Sequence, residues 1–262
     1  MHNPTERVKS SIEWPLPPPS LTLQHGMVHV WAWDFECSPD DLKQYITLLS
    51  CDEHLRMQRF HFERDRIRYA VSHAILRILL GRYLGMEPSS ISFEQNEFGK
   101  PSLVPTLAVA ELNFNLSHAN SIGLLAIATG LAVGVDIEEV RPVACGTVEQ
   151  YFSAQEQSCL ATLTGANWLE GFYNCWTRKE AILKAEGIGL NVRLGAFDVS
   201  LSPNVKASVL GVRPNAGFTS SWHLVDLRPT LGAVGSLATD AASASVTCYR
   251  FAHEFAPLSA KE

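Results

Sequence analysis

The stretch Trp176-Thr177-Arg178-Lys179-Glu180-Ala181-Ile182-Leu183-Lys184 joins an apolar stripe to a charged pair. Trp168, Phe172, Tyr173, Trp176, Leu183 and Ala185 recur at three- and four-residue spacing, which predicts an amphipathic helix. Glu180 and Lys184 are one helical turn apart on the same face. Gly187 and Gly189 follow and supply the left-handed backbone that ends a helix. An isolated Glu–Lys pair at this spacing is ordinarily a surface ion pair. A second carboxylate cluster upstream sets this one apart.

That cluster is Gly134-Val135-Asp136-Ile137-Glu138. On a strand, Asp136 and Glu138 point to one face while Val135 and Ile137 point to the core. Side-by-side carboxylates repel unless a cation lies between them. No basic residue near in sequence is placed to neutralise Asp136. Further upstream, Leu112 to Leu116 alternates as a strand and ends in Ser117-His118, without an Asp in a sensible order for a hydrolase triad. Phe98-Gly99-Lys100-Pro101 reads as a turn with a cation at its tip.

The remaining elements place these motifs in two halves. In the first, Val28 to Phe35 is a strand, Ser38-Pro39 starts a helix, and Ser50-Cys51-Asp52-Glu53 is a capping box. Asp65 to Leu84 is a long helix stopped by Gly85, and Ile91-Ser92-Phe93 is a short strand. Ser121 to Ala128 and Ala132 to Ile137 complete an antiparallel set. Arg56, Arg59, Arg64, Arg66, Arg68, Arg77 and Arg82 form a basic zone. It is either a solvated helix face or a phosphate-binding cluster. In the second half, Ser153 to Glu156 is another capping box, with its helix running to about Leu163. Strands follow at Phe197–Leu201, Ala207–Val212, Trp222–Leu227, Ala233–Ala238 and Val246–Phe251. The pattern is α+β: two similar α/β halves, each an antiparallel sheet packed with a long helix. The expected division is a Pro-rich arm at 1–24, one half at 25–131 and the other at 132–262, with the active site between the halves.

Composition narrows the function classes. Hydrophobic residues make up 46% and charged residues 18%, which is globular rather than disordered. A net charge of -6 disfavours nucleic acid as a partner. The scattered cysteines lack a Cys-x-x-Cys pair and fit a reducing cytosol. Leu124 to Val135 is too short an apolar run to span a bilayer, and the N-terminal stretch has no apolar signal core. The expectation is a cytoplasmic enzyme without a membrane or nucleic-acid partner.

Asp136, Glu138 and Glu180 offer three hard oxygen ligands of the kind Mg²⁺ takes while keeping room for water and phosphate. Arg56, Lys100 and His118 are candidates for further phosphates, and Lys184 for a metal-bound phosphate. This suits phosphoryl-type transfer, in which positioning and charge neutralisation carry most of the catalysis. Walker, kinase and Rossmann glycine patterns are absent from the sequence.

In order, Gly99-Lys100-Pro101, Phe114-Asn115-Leu116-Ser117-His118, Gly134 to Glu138 and Trp176 to Leu190 resemble the motifs of the 4′-phosphopantetheinyl transferases. The two-half length and the Arg56/Arg59/Phe60 segment resemble the monomeric, surfactin-synthetase-activating type. The resemblance implies a pseudo-twofold fold and transfer of phosphopantetheine from coenzyme A to a serine of an apo acyl or peptidyl carrier protein, releasing 3′,5′-ADP. It implies Mg²⁺, with Mn²⁺ as a substitute, held by Asp136, Glu138 and Glu180. It implies coenzyme A contacts at Arg56, Lys100, Pro101, Ser117, His118, Asp136 and Lys184. Of these, Lys100 would meet the adenosine end and His118 the 3′-phosphate. Glu180 and Lys184 are the implied catalytic residues, Glu180 doubling as the base for the carrier serine. The sequence departs from the pattern at Glu53, where some members carry a basic residue, which puts one coenzyme A contact in doubt.

Two other readings compete. A Mg²⁺-dependent phosphohydrolase or nuclease also uses acidic clusters with a lysine, but usually as Glu-x-Lys on one strand, whereas Lys184 lies a helical turn from Glu180. A non-catalytic coenzyme A-binding module would be expected to lack one of the three carboxylates or Lys184, and all four are present.

Overall fold

Alternating burial explains how the layers stack. In a computed structural model describing residues 13–107, 111–189, 194–213 and 221–253, the first half begins with strand β1 (Met27–Asp34). Helices α1 (Pro39–Leu48) and α2 (Cys51–Gln58) follow, then the long helix α3 (Glu63–Leu84). Ser50 closes the expected capping box with Glu53, and Ser38, the expected helix start, makes a second one with Asp41. Gly85 ends α3 with φ of 65°, where a side chain would be strained. A short hairpin, β2 (Phe93–Gln95) with β3 (Pro101–Leu103), leads to strands β4 (Leu112–His118) and β5 (Ile122–Thr129). The strand read at Ile91 starts two residues later. Pro88–Ser90 takes a 3-10 turn first, and Ile91 turns into the core.

Strand β6 (Val133–Glu139) opens the second half, followed by the short helices α4 (Thr147–Tyr151) and α5 (Ala154–Leu160). The long helix α6 (Gly165–Glu186) follows and ends at Gly187 in the left-handed region. Strands β7 (Phe197–Val199), β8 (Val209–Val212), β9 (His223–Leu227), β10 (Ala233–Thr239) and β11 (Ser245–Arg250) complete it. The fold is α+β with mostly antiparallel pairing, as expected from the sequence. One sheet has the order β11-β1-β5-β4 and another β6-β10-β9.

One pairing departs from the antiparallel expectation. Strand β11 leaves the second half and lies parallel to β1, Val246 opposite Val28. A parallel neighbour needs a long crossover, and here the intervening chain supplies it.

The two faces of β5 show the layering. Leu125 and Ile127 pack with Ile75 and Leu79 of α3. Leu124, Ala126 and Ala128 pack with Val133, Val135 and Ile137 of β6 and Leu237 of β10. On the outer face of the second sheet, Val234 and Ala238 pack with Ile182 of α6. The order is helix, sheet, sheet, helix, with β4 and β6 meeting along a seam. Asn113, Asn115 and Ser117, on one face of β4, cross that seam. They bond Leu131 O at 3.0 Å, Val135 N at 2.8 Å and Asp136 Oδ1 at 3.0 Å. No helix among the described residues is long and apolar enough to cross a membrane.

Candidate active site

Strand β6 and helix α6 come together because Gly134 has no side chain. A Cβ placed there would lie 2.1 Å from Ala181 O and 2.3 Å from Ala185 N, both backbone atoms of the helix. Two and four residues further along β6, on the same face, stand Asp136 and Glu138. Opposite them, α6 presents Glu180 and Lys184. The remaining residues of the Trp176–Lys184 stretch hold the helix in this position. Thr177 Oγ1 bonds Ser236 Oγ on β10 at 2.9 Å. Arg178, buried, makes a forked pair with Asp226 at 2.8 and 2.9 Å. Lys179, fully buried, pairs with Glu156 at 2.8 Å and donates to Leu194 O at 2.6 Å. Trp176 stacks on Phe172.

At the centre, Asp136 is 5% exposed. Its Oδ1 accepts from Lys184 Nζ at 2.6 Å and from Ser117 Oγ at 3.0 Å, and Lys184 also donates to Ser117 Oγ at 2.8 Å. Its Oδ2 is buried without a hydrogen-bond partner. Lys184 therefore pairs with Asp136 rather than with Glu180, and it is the neutralising group that no neighbour in sequence supplies. Burial, then the charges of Asp136 and Glu180, outweigh Arg141 and Lys184 and push the Glu138 carboxyl up to about 7. Burial and Asp136 likewise raise Glu180, against the opposing pull of Lys184. Asp136 makes both glutamates costlier to ionise, which is the signature of a site short of positive charge.

Among the described residues, no three His, Cys, Asp or Glu side chains stand gathered as a ready metal cage. Lys184 takes one Asp136 oxygen, Glu180 lines a hollow with Lys100 and Lys184, and Glu138 lines a separate hollow with Arg141 and Trp176. The donor set still suits a hard divalent cation. It offers carboxylate oxygens only, one of them buried and unpartnered, with two more acids held above their ordinary pKa.

Two connected hollows reach this centre. One of about 240 Å³ is lined by Lys100, Glu180 and Lys184. It shares Gly99, Pro101, Asn115 and Leu116 with a cleft of about 750 Å³ that extends to Arg56, His73 and His118. Lys100 donates to Ala185 O near the end of α6 at 2.7 Å. Burial lowers its pKa to about 8, against the pull of Glu186. His118 is open to solvent at the rim, yet desolvation by the cleft walls, then Lys184, lowers its pKa.

Residues 132–242 match the 4′-phosphopantetheinyl transferase superfamily, and residues 32–130 match the 4′-phosphopantetheinyl transferase N-terminal family. The 4′-phosphopantetheinyl transferase HetI of Nostoc sp. is 34% identical over 227 residues, covering 86% of this chain and 92% of HetI. The chain belongs to the 4′-phosphopantetheinyl transferase family. The 4′-phosphopantetheinyl transferase Sfp of Bacillus subtilis is 28% identical over 176 residues, covering 67% of this chain and 77% of Sfp. The protein is accordingly a transferase that moves phosphopantetheine to carrier proteins.

Set against the sequence reading, this phosphopantetheinyl transferase brings Ser117, Asp136, Glu138, Glu180 and Lys184 to one seam, with Lys100 and Pro101 beside it and Arg56 and His118 along the larger cleft. Leu190 of the last motif falls outside the described residues. The basic zone does not act as one unit. Arg77 is 2% exposed and bonds Glu53, Pro88 O and Ile91 O, so it is a core residue. Arg68 is held by Asp65 and Asn120. Arg56 lines the cleft. Glu53, the departure from the family pattern, is also committed to the fold. Its carboxylate caps α2 and accepts from Arg77 Nε and from His73. The sequence reading missed His73. Its one signal was its place one turn before Arg77 on the inner side of α3.

Proposed function

We propose that coenzyme A lies along the seam cleft, and that its pyrophosphate meets Asp136, Glu138, Glu180 and Lys184. An apo acyl or peptidyl carrier protein brings its serine there, and 3′,5′-ADP leaves. The observation that carries this reading is the buried, unpartnered Oδ2 of Asp136, set among two further carboxylates with raised pKa. Those three side chains would hold Mg²⁺, or Mn²⁺ in its place, whose chemistry when bound is to neutralise the pyrophosphate and align it for in-line attack.

The chain's own groups do the rest. Lys184, 2.6 Å from Asp136 Oδ1, is a cation beside the reacting phosphate. It exchanges part of that pairing for the charge that builds on the phosphoryl oxygens during transfer. Glu180 takes the proton of the carrier serine, a task suited to a carboxylate that environment has made more basic. Ser117 keeps Asp136 and Lys184 in register. Lys100 fixes the Gly99–Pro101 turn to the end of α6, so the turn forms a rigid wall for the adenosine end. The enzyme works as a cytosolic monomer in this reading.

Direct binding tests the reading. Calorimetry with coenzyme A should give binding that strengthens with Mg²⁺ in the wild type. That strengthening should disappear in Asp136→Ala. Metal-independent binding of equal strength in both proteins would overturn the metal assignment.

A further inference from the structure

We propose that His73 is an anion-binding residue of the donor cleft, oriented by Glu53, and that it takes up a proton when the 3′-phosphate of coenzyme A binds. The inference rests on the coenzyme A reading above and names a recognition group within it.

His73 lines the large cleft together with Arg56, Tyr69 and His118. Its side chain is 23% exposed. Nδ1 lies 2.9 Å from Glu53 Oε1. Nε2, on the opposite edge of the ring, has no hydrogen-bond partner among the described residues. The Tyr69 ring stacks on the imidazole at 4.0 Å between centroids and 27° between planes, so the ring is held by its face as well as by Nδ1.

Glu53 settles which nitrogen carries the proton. Burial pushes its pKa up, but hydrogen bonds from His73 and Ser50 and the charge of Arg77 bring it down to about 2. An ionised carboxylate only accepts, so Nδ1 carries the hydrogen. The neutral ring then turns a bare lone pair at Nε2 toward the cleft. A phosphate monoester is close to dianionic at neutral pH and has only acceptor oxygens to offer. It cannot bond that lone pair. It can bond the imidazolium, whose Nε2–H donates, and the extra proton comes from solvent.

Arg56 from α2, Arg77 from α3 and His118 from β4 oppose a further positive charge on His73, and Glu53 from α2 favours it. Tyr69 from α3 is neutral, its pKa raised to about 12 mainly by burial. A phosphate dianion entering the cleft tips the balance toward the imidazolium. His73 thus offsets the acid at Glu53: the carboxylate does not repel the phosphate but aims a proton-loaded ring at it.

Calorimetry at pH 8 in two buffers of different ionisation enthalpy, with Mg²⁺ present, measures protons bound per ligand. Coenzyme A is compared with dephospho-coenzyme A, on wild type, His73→Gln and His73→Lys. The wild type should take up protons with coenzyme A and not with dephospho-coenzyme A. His73→Gln should lose the uptake and bind coenzyme A on the order of tenfold more weakly, as for one lost charge-assisted hydrogen bond, with dephospho-coenzyme A unchanged. His73→Lys, permanently charged at this pH, should hold most of the affinity without uptake, and it remains informative if His73→Gln folds poorly. Uptake that persists in both variants, or equal losses for both ligands, would overturn the role of His73 alone. A wild type that binds neither ligand would overturn the coenzyme A reading, and this inference with it.

Discussion

Gly134→Ala puts the smallest available group between β6 and α6. The added methyl would sit 2.1 Å from Ala181 O, 2.3 Å from Ala185 N and 2.8 Å from Ala185 Cα. All three are backbone atoms, so no side chain can swing aside. Real Cβ atoms essentially never approach closer than 3.0 Å, so the helix must retreat by about 0.9 Å at Ala181 to reach even that limit. Glu180 and Lys184 ride on the segment that moves. The Lys184–Asp136 and Lys184–Ser117 bonds, at 2.6 and 2.8 Å, would stretch to the edge of hydrogen bonding. Overpacking of this kind costs about 1–3 kcal/mol of stability. A misplacement near 1 Å in a catalytic constellation costs on the order of 10²-fold in rate. Urea denaturation and steady-state transfer to an apo carrier protein read the two effects. A variant that keeps wild-type kcat and Mg²⁺ affinity would show that α6 and β6 need not meet at Gly134 for the site to work.

Other expectations follow from the same geometry. Glu180→Gln should abolish transfer while the fold survives, and near-normal turnover at saturating Mg²⁺ would remove it from the site. Mg²⁺ should raise the melting temperature more at pH 8 than at pH 5.5. The Glu138 carboxyl is raised from 4.5 to about 7, so the cost of ionising it in the folded protein grows through that interval, and a bound cation relieves it; an equal effect at the two pH values would contradict this. Lys184→Ala should lower kcat on the order of 10²-fold with a smaller change in KM for coenzyme A, and Lys184→Arg should rescue poorly because a planar fork does not replace a point charge. Glu53, lowered from 4.5 to about 2, should contribute about 3 kcal/mol that is fully present above pH 4.5 and lost as pH falls through 2. Denaturation of wild type and Glu53→Gln should therefore converge in acid, and a gap unaffected by pH would rule out this linkage.

The parts of the fold that depend on neighbouring residues could be read from the chain. Ser38, Ser50 and Ser153 cap helices as their downstream acids suggested, and Gly85 and Gly187 end the two long helices. The period of two in Gly134–Glu138 placed Asp136 and Glu138 on one face. Partners remote in sequence could not be read this way. Lys184 sits one turn from Glu180 but bonds Asp136, because β6 lies under α6 only once Gly134 has let it approach. Arg178 and Lys179 look like solvent-facing charges, yet their partners Asp226 and Glu156 lie on other elements and draw them into the core. Strand β11 was visible as a strand, but its parallel place beside β1 depends on the whole intervening chain. The alternation of β4 was legible, but not that its polar members Asn115 and Ser117 are buried against β6.

The central claim is that the carboxylates and lysine gathered at the seam of β4, β6 and α6 perform the transfer. Intact mass of an apo acyl or peptidyl carrier protein, after incubation with coenzyme A and Mg²⁺, measures it most directly. The wild type should add one phosphopantetheine group to the carrier, and Asp136→Ala should leave it unmodified while still giving a cooperative melting transition. A carrier modified at the same rate by both proteins would contradict the claim.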